Sequence, residues 1–247
     1  MLEPEFPPLL SGRRIIEGQA ALKGAVDGAR NRSLGAGDVL WDDNPARVEL
    51  AIVLEPDVPL IKAVQMLPLA MAAAGDCIGV LSPPQVGVMF RWPGGLLVNG
   101  ALAGSITLVS DDCGSGAVPD WMVIGIDVRL RHDADGVEPG HHRDITSLAE
   151  EGCDELTNVQ LIESYTRHFL TWLNLWQDDG FRAVHGGFLE RLEGQDDPVV
   201  LDTAEAGDGP VLVVGLDEDG NLLIRKQDGT TSALQLLDAV ELQVASG

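Results

Sequence analysis

Short runs of valine, leucine and isoleucine divide this chain into strands. "DVLWD" and "RVELAIVLE" (Arg47 to Glu55) are two of them, joined by the tight polar connection "DDNPA". "VGVMFRW" and "GLLVNGALAGSITLVS" add further strands around Asn99-Gly100, a pair that suits a two-residue hairpin turn. "DWMVIGIDVRLR" (Asp120 to Arg131) reads as a long strand, followed by the polar loop "HDADGVEPGHHRD". Other segments change period. Glu17 to Asn31 has helical spacing and ends near glycines. Pro59 opens a second helix with a stripe of Ile61, Val64 and Leu67, which Pro68 should kink because proline removes a helical N–H. Ser147 with Glu150, and Thr157 with Gln160, have capping-box spacing. The second pair opens the clearest helix, whose Ile162, Tyr165, Phe169, Trp172 and Trp176 recur every three or four residues and should face the core. A further helix is expected over Gly187 to Leu192.

Composition shifts near "EGQDD", which has the character of a linker. Beyond it come the short strands "PVVLDT", "PVLVVGLD" and "NLLIRK", separated by the turns "DEDG" and "QDGT", and then "SALQLLDAVELQV". This pattern predicts an α+β domain over residues 1–195: a mixed, largely antiparallel sheet with helices packed on one side. A small C-terminal β-barrel is expected over residues 196–247.

Charge narrows the function classes. The chain carries 39 acidic against 16 basic residues, a formal net charge of −23. Such a surface repels nucleic acid and anionic lipid, so neither is an expected partner. Lys23, Lys62 and Lys226 are its only lysines. Cys77, Cys113 and Cys153 are odd in number and lack CxxC spacing, which argues against a disulfide framework or a zinc site. The start "MLEPEFPPLLSGRR" is acidic and proline-rich, unlike a signal peptide, and no apolar run is expected to reach membrane-spanning length. A cytoplasmic location is the expectation.

The segment "RWPGGLLVNGALAGSI" resembles one found in biotin protein ligases. There the pattern is Lys-Trp-Pro-Asn-Asp, a hairpin, then lysine, an apolar residue and Ala-Gly-Ile. Arg91, Trp92, Pro93, Gly94 and Gly95 match the first part; Ala101, Leu102, Ala103, Gly104 and Ser105 match the second. "VIGIDVRL" is similar to the family's Val-Ile-Gly-Ile-Gly-Ile-Asn-Val. "ITSLAEEG" resembles the Thr-Ser-Leu that opens the next family helix, and "GLDEDGNLLIRKQDG" the first hairpin of the family's SH3-like C-terminal barrel. The resemblance extends over roughly Glu17 to Leu242 and takes in the wider superfamily of lipoate ligases and octanoyl transferases.

What the resemblance implies is a two-step reaction. The carboxylate of biotin or lipoate attacks the α-phosphate of ATP, with Mg²⁺, to give an acyl-adenylate; a lysine of a carrier domain then attacks the acyl carbon. Negative charge builds on phosphate oxygens, so the site needs cations and N–H donors. Several family positions are altered here. The loop that should be rich in glycine and arginine is reduced to Asp42, Asp43, Asn44, Pro45, Ala46 and Arg47. The first lysine is Arg91, which keeps the charge. The Asn-Asp pair is Gly94-Gly95, the second lysine is Ala101, and Asp127 and Arg129 stand at the family's glycine and asparagine.

The expected ligand contacts are therefore Arg91, Trp92, Gly94, Gly95, Ala101, Gly104 and Arg129, with no catalytic residue assigned and no metal site. The first expectation is a binding or regulatory protein with an eroded adenylation site, to which ATP, Mg²⁺ and biotin or lipoate belong only if the family chemistry survives. The alternatives are a divergent ligase or acyltransferase using Arg91 and Arg129, and a docking partner of biotinyl or lipoyl carrier domains. A plainer reading accompanies each residue. Arg91 and Arg129 suit ion pairs or a surface strand; the glycines suit turn geometry; the cysteines suit small buried hydrophobes rather than acyl-carrying thiols. His141 and His142, with Asp144, suit a solvated loop rather than a metal, and His168, beside the Trp172 stripe, a helix-surface or boundary position.

Overall fold

The computed structural model describes residues 3–15, 19–131, 144–201, 203, 206–207 and 209–243. The strands are β1 (Ser11–Arg14), β2 (Asp38–Trp41), β3 (Arg47–Leu54), β4 (Val88–Arg91), β5 (Gly95–Val98), β6 (Ala101–Asp111) and β7 (Met122–Arg129), followed by β8 (Leu212–Leu216), β9 (Leu222–Arg225), β10 (Thr231–Leu234) and β11 (Glu241–Gln243). The helices are α1 (Ala21–Arg30), α2 (Leu60–Ala63), α3 (Met66–Leu81), α4 (Asn158–Asp179) and α5 (Arg182–Leu189).

The main sheet has the order β1-β2-β3-β7-β6-β5-β4, with β11 also joined to β6. The β1–β2 and β11–β6 pairs are parallel, while β2 through β7 pair antiparallel. At the β5–β6 turn Asn99 and Gly100 both have positive φ, 49° and 89°, the geometry a two-residue hairpin requires.

Alternate residues of the central strands divide the core in two. Leu50, Ile52, Leu108, Ile124 and Ile126 meet α3, α4 and α5, while Ala51, Val53, Val109 and Val123 meet α1. The helices thus lie on both faces of the sheet, not on one side as the sequence led us to expect. Helix α3 is buried nearly all round, from Met66 to Ile78, because it sits between the sheet and α4 and α5. Taken together, the 22 residues Leu60–Leu81 are apolar and long enough to match a membrane span, contrary to expectation, but an 18-residue window of that stretch is 78% buried inside the protein. The break between α2 and α3 falls at Val64 and Gln65, just before Pro68, whose ring excludes a regular turn around the carbonyl of residue 64.

Helix α4 begins with the expected capping box, Thr157 and Gln160 satisfying each other's backbone donors. Ile162, Tyr165 and Phe169 are fully buried. Trp172 and Trp176 are half-buried and donate their indole N–H groups to Asp76 and Gln65, both at 2.9 Å. Ser147 and Glu150 also form a reciprocal pair, but it closes only a turn that ends at Gly152, with φ 95°. Helix α5 starts and stops earlier than the predicted Gly187 to Leu192, and Leu192 instead makes an isolated parallel bridge to Phe90. Where a small barrel was expected, the described residues form the three-stranded sheet β10-β9-β8, and β11 leaves it for the main sheet.

Candidate functional site

Helix α1 covers only part of its face of the sheet. Leu22, in its first turn, sits over Gly125, where a Cβ would come within 2.9 Å of the leucine. Two residues further along β7 the face opens. The strand register places Arg91, Gly95, Ser105, Asp127 and Glu49 in one row across β4, β5, β6, β7 and β3. Arg47 and Arg129 face each other in the next row. These residues come from five strands, and alternation along each strand turns them to the α1 side.

Each arginine in this region has a partner. Arg91 donates through Nε and Nη2 to the two oxygens of Glu193, at 2.5 and 3.1 Å. That bonding pushes the guanidinium pKa above its usual value, so Arg91 is held charged. Arg47 grips Asp127 the same way, with Nε to Oδ1 at 2.6 Å and Nη2 to Oδ2, and has Glu49 at 3.7 Å. Arg129 donates to the Leu102 carbonyl at 3.3 Å. Two of the three arginines on this face are thus matched by carboxylates, and the third by a backbone carbonyl. A triphosphate in transfer needs cations and free donors; on this face the Arg91 and Arg47 guanidinium groups are bonded to Glu193 and Asp127.

The short connection between β2 and β3 is also tied down. The Ala46 carbonyl accepts N–H bonds from Leu130 and Arg131, at 2.8 and 2.9 Å. The Pro45 carbonyl accepts from the Arg131 guanidinium, and that of Asn44 from the Asn158 amide, both at 3.2 Å. Asp43 is paired with Arg14.

The sequence-predicted residues separate in space. Arg91, Gly95 and Arg129 lie on the open face. Trp92 is 5% exposed and packs into the core on the other side. Gly94 and Gly104 are dictated by backbone contact: a Cβ on Gly94 would meet the Ile106 carbonyl oxygen at 2.0 Å, and one on Gly104 the Asp127 carbonyl oxygen at 2.2 Å. Ala101 opens β6 opposite Val98. Glu193 was not anticipated. It arrives through backbone pairing, since Phe90 N–H bonds to the Arg191 carbonyl and Glu193 N–H to the Phe90 carbonyl, at 2.7 and 2.9 Å. Its only sequence signal was an acid in a stretch that resembled a linker.

The cysteines lie away from this face. Cys77 is buried and its thiol is pushed up to about 12 by desolvation, so no thiolate forms at neutral pH. Cys153 is buried and donates to Ser82 Oγ at 3.1 Å. His141 and His142 fall outside the described residues, and among the described residues no cluster of His, Cys, Asp and Glu has metal-binding geometry. His168, in the middle of α4, is half-buried, and burial lowers its pKa, in keeping with a histidine at the boundary between core and surface.

The sequence model of the biotin/lipoate A/B protein ligase family matches residues 6–190. The chain belongs to that family. It is 25% identical over 191 residues, 77% of each chain, to the biotin--[acetyl-CoA-carboxylase] ligase of Paracoccus denitrificans. A crystal structure of a biotin protein ligase-like protein of unknown function from Silicibacter sp. TM1040 superposes with a TM-score of 0.85 at 31% identity, covering 96% of this chain and 99% of that one. The biotin protein ligase of Aquifex aeolicus superposes with a TM-score of 0.70 at 14% identity, covering 91% and 94%, and so shares the fold.

The family's first lysine position, Arg91, is therefore an ion-pair member here, with consequences for stability. Glu193 is only 12% exposed at its side chain. Arg91→Met should strand that carboxylate and cost about 1–2 kcal/mol in denaturant melts of the ligand-free protein, less than a fully buried pair because Arg91 is half in solvent. Adding Glu193→Gln should restore most of the loss. No loss in the single variant would mean that the pair is incidental.

Proposed function

We propose that this chain is a binding protein on the biotin/lipoate ligase fold, one that holds a small ligand on the open sheet face without the family's standard adenylation. The observation carrying this reading is the pairing of Arg91 with Glu193 and of Arg47 with Asp127. Charges that would neutralise a triphosphate are spent on neighbouring acids. Ala101 leaves a second cation missing, and the β2–β3 connection, held at Asn44, Pro45 and Ala46, brings two acids where the resemblance leads one to expect donors. A regulatory or carrier role suits such a site, with a small acyl ligand or a carrier domain as partner.

A second reading has one observation in its favour, the similarity to the Paracoccus ligase. In it, Arg91 and Arg129 serve in place of lysines in a divergent ligase. One experiment separates the two. Pyrophosphate release is measured with MgATP and biotin, lipoate or octanoate, beside calorimetry with the same compounds. The binding reading expects heat of binding for at least one acyl compound and no pyrophosphate above background. Sustained turnover with any of them would establish the ligase reading instead.

A further inference from the structure

A cavity lies at the opposite end of β3 from Arg47, on the face of the sheet that α3 and α4 cover. Its volume is about 330 Å³, and it is bounded by the Leu9–Leu10 segment, the end of β3, and the C-terminal half of α4. Leu54 lines it, and Arg47 is the first residue of the same eight-residue strand. At about 3.3 Å per residue the two regions are roughly 23 Å apart. The cavity therefore belongs to neither the open face nor the short connection.

Its chemistry is one-sided. The floor is apolar: Leu10, Met66 and Phe169 are buried there. Leu9 stands at the cavity's mouth, 71% exposed. The wall is preformed, because Gly37 has φ 86° and a Cβ there would lie 2.4 Å from the Leu9 carbonyl oxygen. None of its lining residues is basic. Two are acidic, Glu55 and Asp57, both exposed and without an ion pair or side-chain hydrogen bond among the described residues. A polar cleft of about 530 Å³ continues past Asp57, and its cations are taken: Lys62 is paired with Asp219, and Arg182 lies 3.7 Å from Asp179.

We propose that this cavity binds a small organic amine, its apolar body in the pocket and its ammonium group between Glu55 and Asp57. The volume is within the usual range for small-molecule sites. At about 30 Å³ per water-sized group it accommodates roughly ten non-hydrogen atoms. The rim favours a cation over an anion, and the net charge of −23 reinforces that preference.

The test is calorimetric titration of the full chain with octylammonium, octanol and octanoate. Octylammonium should bind one-to-one and about tenfold more tightly than octanol, the gain expected from two partly screened charges. Octanoate should bind this cavity more weakly than octanol, read as the part of its heat that Leu173→Trp removes. Glu55→Gln with Asp57→Asn should bring octylammonium to the octanol level and leave octanol unchanged; both residues are exposed, so the fold is not at risk. Leu173→Trp, which narrows the cavity, should weaken all binding at least tenfold, with folding checked by circular dichroism. The proposal is overturned if octylammonium does not bind, if it binds no better than octanol, or if the double substitution leaves its affinity unchanged. It is equally overturned if a folded Leu173→Trp protein binds octylammonium as the parent does.

Discussion

Gly104→Ala is expected to destabilise the protein by about 3 kcal/mol, although replacing a strand glycine with alanine ordinarily helps by about 0.5–1 kcal/mol through the unfolded chain. The reversal has a specific cause. The added Cβ would lie 2.2 Å from the Asp127 carbonyl oxygen and 2.9 Å from the Val128 Cα. Neither is the movable end of a side chain; both belong to β7, the strand at the centre of the sheet. Relief requires β6 and β7 to part where Gly104 pairs with Val128, which strains the ladder that places Asp127 beside Ser105. For a chain of this size the thermal midpoint should fall by about 6–12 °C. Gly79→Ala is the control: Gly79 lies on the exposed side of α3, a methyl added there would meet nothing within 4 Å, and the variant should gain about 0.5–1 kcal/mol. A Gly104→Ala protein as stable as its parent would show that β6 has room to shift, and that Gly104 is present for a ligand's sake.

Much of the sheet was legible because its cues are local. Asn99-Gly100 announces its own turn, and Thr157 with Gln160 announces the start of α4. Strands β3 and β7 are apolar enough to be recognised alone. What escaped lacked a local cue. Strand β1, Ser11–Arg14, is exposed along its length and has no alternation to show. The capping pair at Ser147 was real, yet Gly152 ended the turn before a helix could form. The site divides the same way. Arg91 was identified from the segment around it, whereas its partner Glu193 is 102 positions away in sequence and reaches it only through edge pairing with Phe90. The fate of a charge depends on such distant neighbours, which is why the altered residues were visible in the sequence and the ion pairs that Arg91 and Arg47 make were not.

Phe90→Ala is expected to be the most damaging single truncation near the site, costing about 3–5 kcal/mol. Phe90 is fully buried, stacks on Phe188 with centroids 5.2 Å apart, and lies under the Arg191 guanidinium at 5.9 Å. Arg191 is in turn bound to Asp76 at 2.8 Å, the carboxylate that also accepts the Trp172 indole N–H. Removing the ring opens a cavity where α3, α5 and the edge of the sheet meet, since Gly75 leaves space that the Phe90 ring fills. The loss should also spread to the site. The backbone of Phe90 holds residues 191–193 against β4, so loosening it frees Glu193 from Arg91. Two measurements follow: a fall of roughly 6–20 °C in the thermal midpoint, and faster amide exchange at Phe90 and Glu193 than at the β3–β7 ladder. Phe90→Leu, which keeps most of the apolar volume, should recover more than half of the stability. If Phe90→Ala lowers the midpoint yet leaves exchange at Glu193 slow, edge pairing stands on its backbone bonds alone, and the ring serves only the core.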